Sequence, residues 1–265
     1  MRLSQDQIDT YREEGFLQLD GVFEPSETAL LRAEAHAILA RNRQEVVREK
    51  DGRTARTAFA AHTYNEAYRR LGRHPRLIEP AMQLVDGPVY IHQFKINAKA
   101  AFDGDVWQWH QDYGTWARDD LMPEPRALNV ALFLEPVSAC NGPLLFIPRS
   151  HREGKLEAGH DLDTTSYPLW TLDKETVRRL AAAGGVIAPT GPAGTVLLFH
   201  CNLVHASPGN ISPWDRTIVY ISACHTANHI RRFQRPEWIA HRDFTAIECL
   251  ADDCLADLAH EAAAE

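Results

Sequence analysis

His110, Asp112 and His205 supply two imidazoles and one carboxylate, the set that binds one face of Fe(II) and leaves the opposite face open for substrates. Arg216 follows the second histidine closely. A guanidinium fork there can take a carboxylate bidentately, as an iron-bound 2-oxo acid would need. Ser207, just past His205, adds a hydroxyl to that fork. Read as alternate residues of one strand, His110 and Asp112 face the same side and reach one metal from a strand end. The motif alone is weak, because a structural histidine in a turn explains it as well. Trp107, Trp109, Tyr113 and Trp116 crowd around it. Core packing explains any one of these aromatics, but as a set beside a metal they form a wall that excludes water.

The elements that must position these groups change character along the chain. Residues 1–88 read mainly as helix: Leu3 to Glu14, a start at Pro25-Ser26 with Leu31, Ala35, Ile38 and Leu39 at helical spacing, then Glu66–Leu71 and Arg76–Val85. A strand at Phe16–Leu19 interrupts them, and the polar Glu49–Thr54 reads as a turn. From Val89 the texture is β: Val89–Ala98, Asn129–Leu134, Leu144–Ile147, Thr195–Phe199 and Thr217–Ala223. Asn141-Gly142-Pro143 and Gly191-Pro192-Ala193-Gly194 supply turns between them. Many short strands without alternating helices favour a sandwich or jelly roll over a parallel α/β sheet. The expectation is one domain over 1–265, with a helical part at 1–88 and a jelly-roll core at about 89–225. The patternless Arg152–Trp170 stretch, followed by a helix capped by Asp173 and closed by Gly184-Gly185, is an insertion that reads as a candidate lid.

Composition narrows the partners. The chain is 45% hydrophobic and 24% charged with a net charge of −8 and no basic run, which excludes nucleic acid and anionic membranes as primary partners. A small molecule entering a locally basic pocket is compatible with these counts. The five cysteines are irregularly spaced, as free thiols in a reducing compartment are. No apolar leader opens the chain and no apolar run could span a bilayer, so a cytoplasmic location is expected. His225 and His229 stand four apart but lack the glutamate of a zinc-protease motif, and His151 reads as a turn residue. No GxSxG, GxGxxG or phosphate loop occurs.

Longer stretches carry a family likeness. His92-Gln93-Phe94-Lys95-Ile96-Asn97-Ala98-Lys99, Gly104 to Tyr113 and Asn141 to Phe146 resemble the phytanoyl-CoA dioxygenase-like branch of the Fe(II)/2-oxoglutarate oxygenases, close to its hydroxylases of free L-proline. Met122 to Leu128 and Gly209 to Pro213 look more like its ectoine hydroxylases. The resemblance spans most of the chain, to Arg235-Pro236-Glu237-Trp238. It implies a double-stranded β-helix, a cupin-like jelly roll wrapped by helices. It implies His110, Asp112 and His205 as iron ligands, with Arg216, Ser207, Gln93 and Asn97 on 2-oxoglutarate. Lys95 stands where the ectoine enzymes carry an arginine for the substrate carboxylate, and a lysine is a point charge rather than a fork. This chain has His200 where the family often has an aspartate, which places an unassigned imidazole near the metal.

The expected reaction couples O2 and 2-oxoglutarate, as co-substrates, to hydroxylation of an unactivated C–H bond, with no catalytic residue beyond the metal ligands. The Asp112 carboxylate leaves no vacancy for chloride, as related halogenases require. L-Proline or a similar cyclic amino acid is the leading substrate, its carboxylate on Lys95 or Arg126 and its ring near Trp116. Ectoine and a natural-product intermediate are the alternatives. A non-catalytic metal-binding jelly roll is the alternative of another class, and it has no use for a 2-oxo acid anchor.

Overall fold

The computed structural model describes residues 1–264. In chain order the elements are α1 (Gln5–Glu14), β1 (Phe16–Leu19), α2 (Pro25–Leu39), β2 (Val46–Arg48), β3 (Ala55–Phe59), α3 (Ala61–Tyr64), α4 (Glu66–Leu71), α5 (Pro75–Val85), β4 (Val89–Lys99), β5 (Trp107–His110), α6 (Asp112–Asp119), β6 (Ala127–Phe133), β7 (Leu145–Phe146), β8 (Gly159–Asp161), β9 (Leu169–Thr171), α7 (Lys174–Gly184), β10 (Val196–His200), β11 (His205–Ser207), β12 (Arg216–His225) and α8 (Cys254–Ala264). Seven strands form one antiparallel sheet in the order β1-β10-β6-β12-β4-β3-β2, and β5-β11-β7 form a second, smaller sheet. The fold is mainly β with surrounding helices, a jelly roll of the cupin-like kind.

Strand alternation sets the layers. On β10, β6 and β12, Val196, Leu198, Val130, Leu132, Val219 and Ile221 face the helices and join Leu31, Ile38, Leu77 and Ile78 in the larger core. The alternate residues, Leu197, Phe199, Ala131, Phe133, Ile218 and Tyr220, face the small sheet and pack with Leu144 and Phe146. On β4 the outward face is apolar (Phe94, Ile96), whereas the inward face carries Gln93, Lys95, Asn97 and Lys99. That switch from apolar to polar inside an otherwise apolar barrel marks where ligands enter.

The capping signals act as sequence chemistry predicts. Ser4 closes a capping box on α1, and the Asp173 carboxylate accepts from the amides of Glu175 and Thr176 to start α7. Two readings need correction. Residues 1–88 are less helical than expected: β2 and β3 flank the Glu49–Thr54 turn and extend the main sheet beyond β4. They are too short to show a period. The segment after Arg152 is not patternless, because β8 and β9 pair across it as a hairpin. Among the described residues no helix is long and apolar enough to cross a membrane.

Candidate metal centre

β5 and β11 pair antiparallel with His110 directly opposite His205, so the two rings stand 4.1 Å apart between centroids. Asp112 arrives differently from the expectation of a single strand. The chain turns at Gln111, the N-cap position, and Asp112 is the first residue of α6. The helix turn brings its carboxylate to the histidines: Oδ1 lies 3.9 Å from His110 Nε2, and Oδ2 lies 3.6 Å from His205 Nε2. One donor atom from each residue falls within 4.8 Å of the others.

The surrounding bonds leave these donors free to bind a metal. Each histidine turns Nδ1 to a backbone carbonyl, Gln108 at 2.7 Å and Leu203 at 2.9 Å, which fixes the tautomer and leaves Nε2 as the metal-facing lone pair. The Asn129 amide donates to Asp112 Oδ2 at 2.7 Å and is itself held by Ser222 Oγ at 2.7 Å. Burial, then the neighbouring His205, pushes His110 down to about 3. Burial opposes ionisation of Asp112, but Lys95, His205, His110 and the Asn129 bond outweigh it and hold the carboxyl at about 2. Neutral imidazoles and an ionised carboxylate at neutral pH are the protonation states that a metal requires. This donor set suits ferrous iron, and all three donors line the same cavity.

Opposite the donors, Arg216 opens β12 fully buried. Nε and Nη2 donate to the Gly142 carbonyl at 3.1 and 2.7 Å, and Nη2 also to Ser207 Oγ at 3.1 Å. Nη1 is buried with no partner. A buried guanidinium with a free nitrogen costs free energy that an arriving carboxylate would recover. Gly142 permits this arrangement: its φ is +75°, and a Cβ there would stand 2.6 Å from Lys99 Cδ.

One cavity is lined by the three donors together with Lys95, Asn97, Gln93, Trp116, Ser207 and Arg216. The structure thus brings together nearly all of the residues singled out in the sequence. Lys95 Nζ lies 4.0 Å from Asp112 Oδ1, and Asn97 Oδ1 accepts from Thr57 Oγ1. Gln93 is committed elsewhere: it donates to the Ile239 carbonyl and accepts from Trp116 Nε1, so it orients the tryptophan. Arg126 is the correction. It precedes β6 outside the cavity, where Nη2 takes the carbonyls of Val85 and Asp86 at the end of α5. His200 also stands off the metal. It accepts from the Asn202 amide and neighbours His151 and Tyr11. His225 and His229 join no metal group among the described residues.

The cavity also holds residues that the sequence reading missed. Tyr167 and Leu169 come from the β8–β9 hairpin, Phe59 from β3, Tyr220 from β12 and Arg235 from the coil after β12. The hairpin segment therefore packs over the cavity. It is tied down by Trp170 Nε1 on Asp119 and by Gln111, whose side chain bonds Gly154 and Leu156. Tyr220 was legible from its inward position on a strand; Arg235 and Tyr167 lie in irregular backbone, where periodicity gives no direction.

With this geometry in place, likeness to known proteins can be set beside it. A family model described as phytanoyl-CoA dioxygenase matches residues 11–218. The chain is 36% identical to an ectoine dioxygenase of Bordetella parapertussis over 264 residues, covering 94% of this chain and 86% of the relative. It is 35% identical to an L-proline trans-4-hydroxylase of Streptomyces griseoviridis over 247 residues, covering 89% and 92%. Among solved structures it is similar to EctD from S. alaskensis with 2-oxoglutarate and 5-hydroxyectoine, at a TM-score of 0.84 and 32% identity, over 94% of this chain and 87% of that one. The Fe-bound form of the same protein matches at a TM-score of 0.82.

Proposed function

The chain belongs to the phytanoyl-CoA dioxygenase family, and on that footing we propose that it hydroxylates a compact, carboxylate-bearing cyclic zwitterion, ectoine before L-proline. It is an oxygenase dependent on iron and 2-oxoglutarate. The observation that carries this reading is the single cavity that joins His110, Asp112 and His205 to the free Nη1 of Arg216. His110 Nε2, Asp112 and His205 Nε2 would hold the iron. Once bound, it supplies, with O2 and 2-oxoglutarate, the oxidant for an unactivated C–H bond, and the oxo acid leaves as succinate and CO2.

The chain's own residues do the rest. Arg216 and Ser207 take the distal carboxylate of the oxo acid, and Asn97 lies along its path. Phe59, Trp107, Trp116 and Tyr167 wall the cavity against water, which protects a reactive oxidant from side reactions. Lys95 and Arg235 are the lining cations left for the acceptor carboxylate, one a point charge and one a fork. Ectoine is placed first because seven relatives at 30–36% identity are named ectoine dioxygenases. L-Proline is the second reading, favoured by likeness over nearly the full length of the proline enzyme and by a lysine at position 95.

Incubation with Fe(II), 2-oxoglutarate and O2, scored by succinate and by product mass, tests this directly. Ectoine should gain one oxygen in step with succinate, with L-proline turned over more slowly. Reaction of a larger scaffold alone, with both small molecules inert, would refute the substrate class.

A further inference from the structure

Arg235 reaches the cavity from a coil that has no regular hydrogen bonding of its own, so something else must hold its guanidinium there. Asp120, the fully buried C-cap residue of α6, does so: Oδ1 accepts from Nε at 2.8 Å and Oδ2 from Nη2. This bidentate pair leaves Nη1 as the guanidinium nitrogen that Asp120 does not use. The same Oδ2 lies 3.3 Å from Nε2 of His92, which is also fully buried and stands edge-on to Trp116 at 5.0 Å.

His92 comes to face Asp120 through a local irregularity. Ser222 pairs with Gln93 and Ala223 with Ile91, so His92 is the extra residue of a β-bulge in β4. A bulge re-aims one side chain out of the strand's alternation. The same irregularity frees the His92 carbonyl, which accepts from the His241 amide at 3.0 Å. The Asp120 carbonyl accepts from the amides of Arg231 and Arg232, each at 2.9 Å. The coil bearing Arg235 is therefore pinned on either side of it.

Asp112 opens α6 and Asp120 closes it. At ~1.5 Å of rise per residue the helix sets these carboxylates about 12 Å apart along its axis. One short helix thus fixes a metal ligand at one end and the arginine's partner at the other, with Trp116 between them. We propose that Asp120 and His92 are positioning residues: they hold Arg235 at a fixed distance from the metal donors, so that the acceptor's carboxylate is gripped and its reacting carbon is presented to the iron. This rests on the substrate class assigned above.

The test uses the full chain carrying Asp120→Asn or His92→Gln. In both variants KM for ectoine or L-proline should rise about tenfold or more while KM for 2-oxoglutarate stays within about twofold, since only the acceptor's anchor is displaced. Succinate should form in excess over hydroxylated product. Combining Asp120→Asn with Arg235→Ala should add nothing to Arg235→Ala alone, because the aspartate acts through the arginine. Additive losses, or equal losses in both KM values, would show a merely structural role and overturn the proposal. If Asp120→Asn does not fold, His92→Gln carries the same expectations. Wild-type inactivity on both small molecules would instead sink the substrate class. The clamp would then be judged by amide hydrogen exchange over residues 231–241, which should accelerate in Asp120→Asn; unchanged exchange there would overturn it.

Discussion

Replacing Arg216 by lysine keeps the charge but removes the fork. In the structure Nε and Nη2 are occupied by Gly142 and Ser207, and Nη1 alone is without a partner. Lysine is a shorter point charge, and it cannot satisfy Gly142 and Ser207 while also reaching a ligand. A hydrogen bond to a charged group is worth about 1.5–3 kcal/mol, and each 1.4 kcal/mol is tenfold, so losing one raises KM for 2-oxoglutarate by about 10- to 150-fold. The acceptor's KM should move much less if, as proposed, Arg216 serves the oxo acid rather than the acceptor. The assay is initial-rate succinate formation against 2-oxoglutarate, supported by the visible charge-transfer band of the anaerobic Fe(II) complex. A KM for 2-oxoglutarate within about threefold of wild type, with kcat alone reduced, would refute the reasoning.

Other perturbations follow from the same geometry. Asp112→Ala should abolish metal-dependent succinate formation and the charge-transfer band; normal turnover in that variant would remove the carboxylate from the ligand set. Gly142→Ala forces a side chain into a positive-φ position already crowded by Lys99, so it should lower thermal stability and raise KM for 2-oxoglutarate together. Arg126→Ala should leave both KM values unchanged, since its guanidinium caps α5 outside the cavity; a rise in the acceptor's KM would contradict that placement. Burial lowers His62, His74 and His200 to about 4 and His241 to about 3. Above about pH 6.5 these groups are neutral in both states, whereas below it the unfolded chain takes up protons that the fold refuses. Stability should fall from pH 6.5 towards 4 by up to about 1.4 kcal/mol per pH unit for each histidine, and His200→Phe should flatten that slope in denaturant titrations.

The metal centre was legible because its chemistry survives without knowledge of the fold. Two imidazoles, one carboxylate and a following arginine are informative as residue types, and the apolar strand Thr195–Phe199 just before His205 points to a barrel mouth. How Asp112 reaches the metal was not legible. An alternation argument puts it on a strand, whereas the chain turns into a helix at that residue. Arg126 was misread for the opposite reason: an arginine beside a core strand looks available until the end of α5 is seen to claim it. Arg235, Asp120 and His92 were invisible as a group. Their contact depends on a bulge and on a coil far along the chain, and neither leaves a period in the sequence.

The two arginines of the cavity are compensated differently, and that difference has a consequence for protons. Arg235 has the Asp120 carboxylate, whereas Arg216 is bonded to the Gly142 carbonyl and the Ser207 hydroxyl with the Tyr220 phenol beside it, and Lys99 lies directly across the strand pair. Lys99 is buried on the carbonyls of Asp105 and Pro208, and burial, then the charges of Arg216 and Arg56, pushes its ammonium down to about 6. At pH 7 it is therefore largely neutral, since its folded value lies below the solution pH. A carboxylate arriving at Arg216 screens the charge that helps to depress Lys99, so the lysine's affinity for a proton must rise. Binding of 2-oxoglutarate at pH 7 should thus take up a fraction of a proton, visible as a binding enthalpy that changes with the ionisation enthalpy of the buffer. Lys99→Met should abolish the buffer dependence while Arg216 still binds the acid. Proton uptake that is absent in wild type, or that persists in Lys99→Met, would separate the lysine from the oxo-acid site and leave it a purely structural residue.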